Sequence, residues 1–345
     1  MMKAAVKQEG GSFKIQDVPE PPEPAPDQVK VKIAYCGICG SELHSIDPEY
    51  TSGSSFWGKI PEGVDISRLI GGHEASGTVV AVGINVKDIE VGQRVAMNFR
   101  TPCGTCYYCR NMMEHFCERP IPATGSYAEY ALYHANAVYT LPDNVSLEVG
   151  AVLEPLTVAV HAVDQAEIKP GHTVAILGAG PIGILILEVA LKAGAAKVLV
   201  SEPVDARREL AKRLGATIVI DPTKEDLLKA AVKLAEGRGF DRVFDASGKP
   251  AVARQSFDLA ARGGVAVLVA VYPPGTEISF PSSYAGGKEL TVKGTLISPY
   301  CFPRSINLLS ELELEPLISI RPLEEVNEAY HDLLAGRGMK VLLKP

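Results

Sequence analysis

The sequence lacks three features that would each indicate a different class of protein. It has no excess of positive charge, because 34 Lys and Arg stand against 41 Asp and Glu, a formal net charge of −7; this argues against nucleic acid or an acidic membrane as the main partner. The longest apolar run, residues 174–187, has 14 residues with three glycines and a proline, fewer than the about 18 that a membrane span needs. The first nine residues contain no apolar signal core. These absences predict a cytoplasmic protein whose partner is a small molecule.

The length and composition are those of a folded chain with more than one domain. At about 150 residues per domain, 345 residues suggest about two domains. Hydrophobic residues make up 46% and charged residues 22%, which excludes an intrinsically disordered chain. Up to about residue 150 the sequence has short alternating runs, as at 29–34, 77–82 and 93–97. We therefore expect a β-rich first domain.

The middle of the chain alternates short apolar runs with helical patterns. Strands are predicted at 173–177, 197–201, 217–220, 242–245 and 265–269, and helices at 181–193, 205–214, 224–236 and 250–261. This alternation predicts an α/β domain with a doubly wound parallel sheet. After about residue 295 the elements are too short to form a further domain. We predict a first domain at 1–155, a second at 156–295, and a return of residues 296–345 to the first.

Seven cysteines are too few for a disulfide scaffold, but four of them lie within fifteen residues: Cys103, Cys106, Cys109 and Cys117. In a reducing compartment such a cluster indicates a metal site, and four thiolates fill the tetrahedral shell of a structural zinc ion. A ferredoxin-like iron–sulfur run would place its fourth cysteine at Met113. A nucleic-acid zinc module would bring more than the three arginines of this segment. Both alternatives are disfavoured.

A second candidate metal set combines Cys39 and His73 with an acid, either Glu74 or Glu154. One cysteine, one histidine and one carboxylate supply three protein ligands, and they leave the fourth position for water or substrate, as catalytic zinc requires. Each residue alone would more often be an ordinary buried side chain. The sequence leaves open which of the two glutamates is the ligand.

The segment GAGPIG at 178–183 follows a predicted strand and begins a predicted helix. Its three glycines match the dinucleotide-binding fingerprint, and Glu202 lies 19 residues past the third of them, at the end of the next strand. A carboxylate there would bind the ribose hydroxyls and repel a 2′-phosphate, which predicts NAD rather than NADP. Arg207 and Arg208 oppose this preference, since arginines can bind a 2′-phosphate.

Together these motifs make the sequence similar to the zinc-containing medium-chain alcohol/polyol dehydrogenases, close to the butanediol, sorbitol and threonine dehydrogenase branch. The resemblance covers nearly the whole chain and rests on CGICGSELH (36–44), GGHE (71–74), the four-cysteine segment, GSYAEY (125–130), EPLTVAVHA (154–162), GAGPIG and VSEP (200–203). It implies a GroES-like β-rich catalytic domain, a Rossmann domain, and an active site in the cleft between the two domains.

The resemblance also implies a function: transfer of hydride between a secondary alcohol, of vicinal-diol or polyol-like type, and NAD, giving the ketone. It further implies two zinc ions per chain and a homodimer or homotetramer. Zinc would lower the pKa of the alcohol, and Ser41 and His44 would form a relay that carries its proton to solvent. The catalytic set is then Cys39, Ser41, His44, His73, Glu74 and Glu154. The implied cofactor contacts are Thr157, Gly178, Gly180, Pro181, Ile182, Gly183, Glu202, Arg207, Val269, Val271, Leu296 and Ile297.

Two departures from the family pattern bear on the substrate. Ser45 stands where sorbitol-type enzymes have an aromatic residue, and Ile297 stands where they have an arginine, so sorbitol is not the expected substrate. The segment 45–70, with Trp57, is either a loop over the pocket or a solvated surface loop. An amino-alcohol (threonine-type) dehydrogenase and a biosynthetic ketone reductase remain open. So does a regulatory protein with a vestigial cofactor site, although such a relic would be expected to have lost a metal ligand.

Overall fold

The computed structural model describes residues 1–44 and 69–345. The predictions for Ser45, for Trp57 and for most of the 45–70 loop therefore lie outside the described residues. The chain divides into two compact units, one of Met1–Pro155 with Phe302–Pro345 and one of Leu156–Cys301. Within the described ranges no helix has both the length and the apolar character needed to cross a bilayer.

The described strands, in chain order, are β1 (Met2–Lys7), β2 (Phe13–Val18), β3 (Gln28–Gly37), β4 (Glu74–Val82), β5 (Arg94–Met97), β6 (Arg100–Thr101), β7 (Ile121–Pro122), β8 (Tyr130–His134), β9 (Val138–Thr140), β10 (Thr173–Leu177), β11 (Lys197–Ser201), β12 (Ile218–Ile220), β13 (Phe240–Asp245), β14 (Ala260–Leu268), β15 (Thr291–Gly294), β16 (Ile318–Pro322) and β17 (Lys340–Lys344). The described α-helices are α1 (Gly40–Leu43), α2 (Tyr107–Arg110), α3 (Leu147–Gly150), α4 (Leu153–Ala166), α5 (Pro181–Lys192), α6 (Asp205–Arg213), α7 (Leu227–Leu234), α8 (Pro250–Leu259), α9 (Ser282–Lys288), α10 (Phe302–Leu308) and α11 (Val326–Leu334).

The first unit is built around a seven-stranded sheet in the order β16-β17-β3-β4-β5-β9, with β8 also paired to β3. Gly37 at the end of β3 pairs with Glu74 at the start of β4. Gly37 also pairs with Leu342 of β17, on the other side of β3. This register brings three chain segments together: the residues after β3, the residue before β4, and the C-terminal strand.

The second unit contains a six-stranded sheet in the order β12-β11-β10-β13-β14-β15, and every neighbouring pair in it is parallel. The predicted α/β class with a doubly wound parallel sheet is confirmed, and strands β10 and β11 have the predicted bounds. Gly194 and Gly215 follow α5 and α6 with φ of +98° and +102°. Glycine adopts this left-handed conformation without steric cost, and the two helices end beside these glycines, as predicted.

Two predicted helices of this unit differ from the structure by two residues or more at an end. Helix α7 begins at Leu227 rather than at 224, because the Asp226 side chain accepts hydrogen bonds from the amides of Leu228 and Lys229 and so caps the helix. Helix α8 ends at Leu259, two residues before the prediction, and strand β14 starts at Ala260. Gly263, inside β14 and two residues after the predicted helix end, has φ of +69°.

Candidate active site and metal centres

The four cysteines of the 103–117 segment converge on one point of the first unit. Their sulfur atoms all lie within 4.8 Å of one another, and Cys106 Sγ is 3.5 Å from Cys109 Sγ. Two sulfurs bound to one tetrahedral zinc ion at about 2.3 Å would be about 3.8 Å apart. The donor set therefore fits a zinc ion with only small side-chain adjustments and has no open position.

The electrostatics of this cluster also favour a cation. Hydrogen bonds, first from the Thr105 hydroxyl and then from backbone amides, lower the pKa of Cys103 to about 5. Burial raises the pKa of Cys109 to about 12. Without a cation the four thiols cannot all ionise at neutral pH, whereas a bound divalent ion would stabilise all four thiolates.

Cys39, His73 and Glu74 form a second cluster in the same unit, and one ligand atom from each lies within 4.8 Å of the others. Cys39 is the N-cap of α1, and His73 precedes β4. Burial opposes protonation of His73, yet the negative charges of Cys39 and Glu42 raise its pKa well above the usual range. The cluster thus has the donors and the surplus of negative charge that a divalent cation would balance.

Glu154 is buried close to this cluster, at the start of α4. Burial is the main reason that its pKa rises to about 7, the charge of Glu74 raises it further, and protonated His73 acts in the opposite direction. Of the two glutamates, Glu74 is the one whose oxygen lies within 4.8 Å of both other ligand atoms. Both Glu74 and Glu154 therefore remain predicted ligands of the catalytic metal ion.

Glu42 lies in the CGICGSELH segment but was not assigned a role from the sequence. Its carboxylate accepts hydrogen bonds from the Gly72 amide at 2.8 Å and from the Tyr127 hydroxyl at 2.8 Å, and it lies 3.8 Å from His73 Nδ1. Gly72 has φ of +87°, and a Cβ there would lie 2.4 Å from the Tyr127 ring. Glu42 therefore fixes the turn that carries His73, as an outer carboxylate does for a metal-binding histidine.

Lys340 is the other residue beside the candidate metal cluster that the sequence did not indicate. Its ammonium group donates hydrogen bonds to both carboxylate oxygens of Glu74, at 2.8 and 2.7 Å, and to the Ile38 carbonyl at 3.0 Å. The side chains of Lys340 and Glu74 are 4% and 1% exposed. A glycine at 37 is required here, because a Cβ would lie 2.2 Å from Glu74 Oε2.

The two proposed relay residues lie on and next to α1. Ser41 Oγ donates a hydrogen bond to Cys39 Sγ at 3.3 Å, so this hydroxyl is directed at a candidate ligand atom. His44 is the C-cap of the helix, and its amide donates to the Gly40 carbonyl at 3.2 Å. Both side chains are half-buried. The relay itself stays a prediction.

The glycine segment of the second unit forms the strand-to-helix turn that the fingerprint requires. Gly178 has φ of +102° after β10, and a Cβ at Gly183 would lie 2.0 Å from the Gly178 carbonyl oxygen. A Cβ at Gly180 would meet nothing within 4 Å. Pro181 occupies the first turn of α5. The turn therefore packs α5 against the sheet and leaves space at its N-terminus, where a pyrophosphate would meet backbone amides.

Glu202 follows β11 and is 4% exposed. One of its carboxylate oxygens accepts a hydrogen bond from the Ala179 amide at 2.7 Å, and the other accepts one from the Val204 amide at 3.0 Å. Each oxygen retains a second lone pair for a ribose hydroxyl. The carboxylate thus stands directly beside the glycine turn.

The two arginines of α6 differ in their surroundings. Arg208 is buried, donates to the Glu202 carbonyl at 2.7 Å, forms an ion pair with Asp205, and lies 3.3 Å from Asp221. Because two carboxylates already neutralise it, Arg208 is held by the fold rather than presented to a 2′-phosphate. Arg207, the cofactor candidate, is half-buried.

The other cofactor candidates also belong to the second unit or its margin. Thr157 is fully buried, and its hydroxyl donates to Ser298 Oγ at 2.6 Å. Ile297 has φ of +54°, an uncommon conformation for a β-branched residue that often marks a functional site. The remaining three are less buried: Val269 is half-buried, and Val271 and Leu296 are exposed.

Comparison with family models identifies both units. Residues 25–143 match the alcohol dehydrogenase GroES-like domain, and residues 181–311 match the zinc-binding dehydrogenase model. The chain is 33% identical to D-xylulose reductase A of Aspergillus oryzae, over 96% of this chain and 93% of the relative. It is 34% identical to L-threonine 3-dehydrogenase of Pyrococcus abyssi, over 93% and 92% of the two chains.

The chain is also similar to solved structures. A zinc-binding dehydrogenase of Sinorhizobium meliloti with NADP bound has a TM-score of 0.90 at 33% identity, covering 100% of this chain and 99% of that one. The 2R,3R-butanediol dehydrogenase of Bacillus subtilis has a TM-score of 0.86 at 31% identity, covering 100% of both chains.

Proposed function

This chain belongs to the family of zinc-binding alcohol dehydrogenases, and on that premise we propose that it transfers hydride between a secondary alcohol of vicinal-diol or polyol type and NAD, giving the ketone. The observation that carries the proposal is the cluster of half-buried Cys39 and His73 with buried Glu74, which has a surplus of negative charge and three different metal-ligand types. The glycine turn beside Glu202, in the second unit, supplies the cofactor part of the proposal.

We assign zinc to both clusters of the first unit. Cys103, Cys106, Cys109 and Cys117 would hold the structural ion, and Cys39 and His73, with Glu74 or Glu154, would hold the catalytic one. When bound, the catalytic ion would supply Lewis acidity that lowers the pKa of the substrate hydroxyl, and NAD would supply the hydride acceptor. Glu42 orients His73 through the Gly72 turn, and Lys340 keeps the Glu74 carboxylate in place.

The protein residues also remove the hydroxyl proton. His44 accepts it with an imidazole whose ordinary pKa of about 6.5 lies near working pH. Ser41 lies between Cys39 and His44 in the sequence, and its hydroxyl donates a hydrogen bond to Cys39 Sγ. We infer that Ser41 and His44 together pass the proton from substrate to solvent.

NAD is favoured over NADP by the charges around the ribose position. Glu202 would accept hydrogen bonds from two ribose hydroxyls and would repel a 2′-phosphate. Arg208, which in principle could attract that phosphate, is neutralised by Asp205 and Asp221. The relative from S. meliloti was crystallised with NADP, so the proposed preference for NAD rests on these residues of this chain and not on the family.

A second candidate function is oxidation of an amino alcohol. The similarity to L-threonine 3-dehydrogenase is as strong as the similarity to D-xylulose reductase A, and the metal cluster would serve both substrates. A purified-enzyme assay separates them: NADH formation with vicinal diols, polyols and threonine, and NADH consumption with the matching ketones, each repeated with the NADP pair. Turnover of threonine alone would favour the second candidate, and no turnover of any alcohol would indicate a vestigial site.

We further propose a homodimer or homotetramer in the cytoplasm. Among the described residues, strand β15 is an edge of the parallel sheet, and Val292 on it is 39% exposed. An edge strand with an exposed apolar side chain favours pairing with a second copy. The four-cysteine cluster requires a reducing compartment to remain available for metal. Light scattering of the purified protein at several concentrations tests the assembly, and fractionation of the source cells tests the location.

A further inference from the structure

A third cluster of metal-ligand side chains lies in the second unit, whereas both candidate zinc clusters consist of residues of the first unit. It consists of His161 and Asp164 on α4 and Cys301 at the end of the unit. His161 and Asp164 are three residues apart and so share one face of the helix. One ligand atom from each of the three side chains lies within 4.8 Å of the others.

We propose that this cluster is an additional binding site for a divalent metal ion of the zinc class. An imidazole, a carboxylate and a thiolate are all zinc ligands. At metal–ligand distances of about 2.0–2.3 Å, two ligands of one tetrahedral ion are about 3.3–3.8 Å apart. Ligand atoms already within 4.8 Å need only small side-chain movements to reach that geometry.

The charges of the three groups match such an ion. An ionised Cys301 and an ionised Asp164 together carry two negative charges, and a neutral His161 adds none, so a bound divalent ion leaves the cluster neutral. That balance matters because Cys301 is fully buried and His161 is 6% exposed, and burial of an unbalanced charge is costly. Asp164 is exposed and offers a route from solvent to the buried sulfur.

Binding would release one proton from the Cys301 thiol. That thiol donates a hydrogen bond to the Pro299 carbonyl at 3.1 Å, and the metal–sulfur bond would replace it. A metal ligand must be deprotonated, so affinity should rise with pH and binding should acidify a weakly buffered solution.

A metal ion at this site would stabilise the segment 297–301, which contains the cofactor candidate Ile297. Thr157 precedes His161 by one helical turn, and its hydroxyl bonds Ser298, three residues before Cys301. Ile297 and Tyr300 in this segment have φ of +54° and +55°, conformations that cost energy in residues other than glycine. A metal ion bridging α4 and Cys301 would hold this strained segment in place.

The test is metal binding by the intact holoprotein, with its tightly held zinc in place. Wild-type protein is equilibrated with rising concentrations of free Zn²⁺, and bound metal is measured by elemental analysis after rapid gel filtration. We expect one further ion per chain above the resident content, with proton release. With Co²⁺ instead, we expect a thiolate-to-cobalt charge-transfer band.

Three variants assign the ligands: Asp164→Asn, His161→Gln and Cys301→Ala. Each should weaken binding of the further ion by more than about tenfold, since loss of even an outer partner costs about 10–100-fold in metal affinity. Asp164→Asn alters an exposed side chain and so tests the site without threatening the core. His331→Gln, which changes an exposed histidine of α11 in the other unit, is the matched control and should retain the ion.

None of the three variants changes a ligand of either zinc cluster, so the content of tightly held zinc should be the same in wild type and variants. Measurement of that content therefore tests this proposal separately from the proposed function. Absence of a further ion from wild-type protein at saturating Zn²⁺ would overturn the proposal and leave the dehydrogenase assignment intact. Unchanged binding in Asp164→Asn and His161→Gln would overturn it as well. The three side chains would then form a hydrogen-bonded cluster only.

Discussion

Lys340 holds both carboxylate oxygens of Glu74, although 266 residues separate the two along the chain. Both side chains are almost completely buried, so the pair is shielded from water and from salt. A buried pair of this kind is expensive to break, because removal of one partner leaves the other charge without compensation. The relationship links the C-terminal strand β17 directly to the candidate catalytic cluster.

We therefore expect Lys340→Met to lower the free energy of unfolding by about 3–5 kcal/mol, as for other broken buried pairs. The double variant Lys340→Met/Glu74→Gln should recover part of that loss, since neither charge is then left alone. Urea denaturation followed by circular dichroism measures both, together with zinc content. Lys3→Met, which breaks an exposed pair with Glu324, is the control and should change little. Equal stability of wild type and Lys340→Met would mean that the pair contributes nothing to the fold.

The two zinc clusters should respond differently to removal of a cysteine. Purified protein prepared without chelator should contain two tightly held zinc ions per chain. Cys106→Ser should lose one of them and destabilise or aggregate the protein, because a closed site contributes folding free energy. Cys39→Ser should retain the fold and lose turnover. Thermal unfolding, elemental analysis and NADH formation distinguish the two, and the reverse pattern would mean that the roles are exchanged.

Cofactor preference should depend on Glu202. Its replacement by Gln removes the charge that repels a 2′-phosphate and retains one acceptor for the amides of Ala179 or Val204. The ratio of kcat/KM with NAD to kcat/KM with NADP should fall by up to about a hundredfold, the size of effect expected when a buried polar contact is lost.

Arg208 provides the control for that experiment. Because Asp205 and Asp221 neutralise it, Arg208→Gln should affect stability more than cofactor preference. A wild-type enzyme that prefers NADP would contradict the assignment of Glu202, whatever the variants do.

The proton relay should become visible below neutral pH. His44→Gln should slow alcohol oxidation by up to about a hundredfold, the usual size of a general acid–base contribution. The loss should be largest below about pH 7, where hydroxide and buffer replace the imidazole poorly. Zinc content should not change, and added imidazole should restore part of the rate. Wild-type rates from about pH 6 to 9, with a deuterium isotope effect showing that hydride transfer limits turnover, would remove His44 from the mechanism.

Much of the second unit could be predicted because its signals are local. The strands Thr173–Leu177 and Lys197–Ser201 were predicted with their observed bounds, since short apolar runs between glycines and helical patterns have few alternative structures. The errors lie at the ends of elements. A single side chain such as Asp226 decides the first hydrogen bonds of α7, and strands β13 and β14 begin at Phe240 and Ala260 rather than at 242 and 265. Such capping depends on a few atoms, so its signal in the sequence is weaker than that of the hydrophobic periodicity around it.

The candidate metal clusters were predictable in the same way, since cysteine spacing and the family motifs point to them. The residues that hold those clusters in place were not. Glu42 lies within a motif, and a carboxylate three residues after Cys39 was a signal that could have been followed. Lys340 has no such signal, because a lysine near the end of a chain is ordinarily a solvated residue.

The sequence by itself determined the α/β class, the glycine turn, the types of metal ligand and the family. Those features depend on periodicity, on backbone freedom at a few glycines and on short spacings, all of which can be read locally. The tertiary structure alone decided that Lys340 faces Glu74, that Arg208 is neutralised by Asp221, and that Cys301 lies beside His161. These contacts join segments 13 to 266 residues apart, and they form because sheet register and helix packing, rather than any local pattern, bring the side chains together.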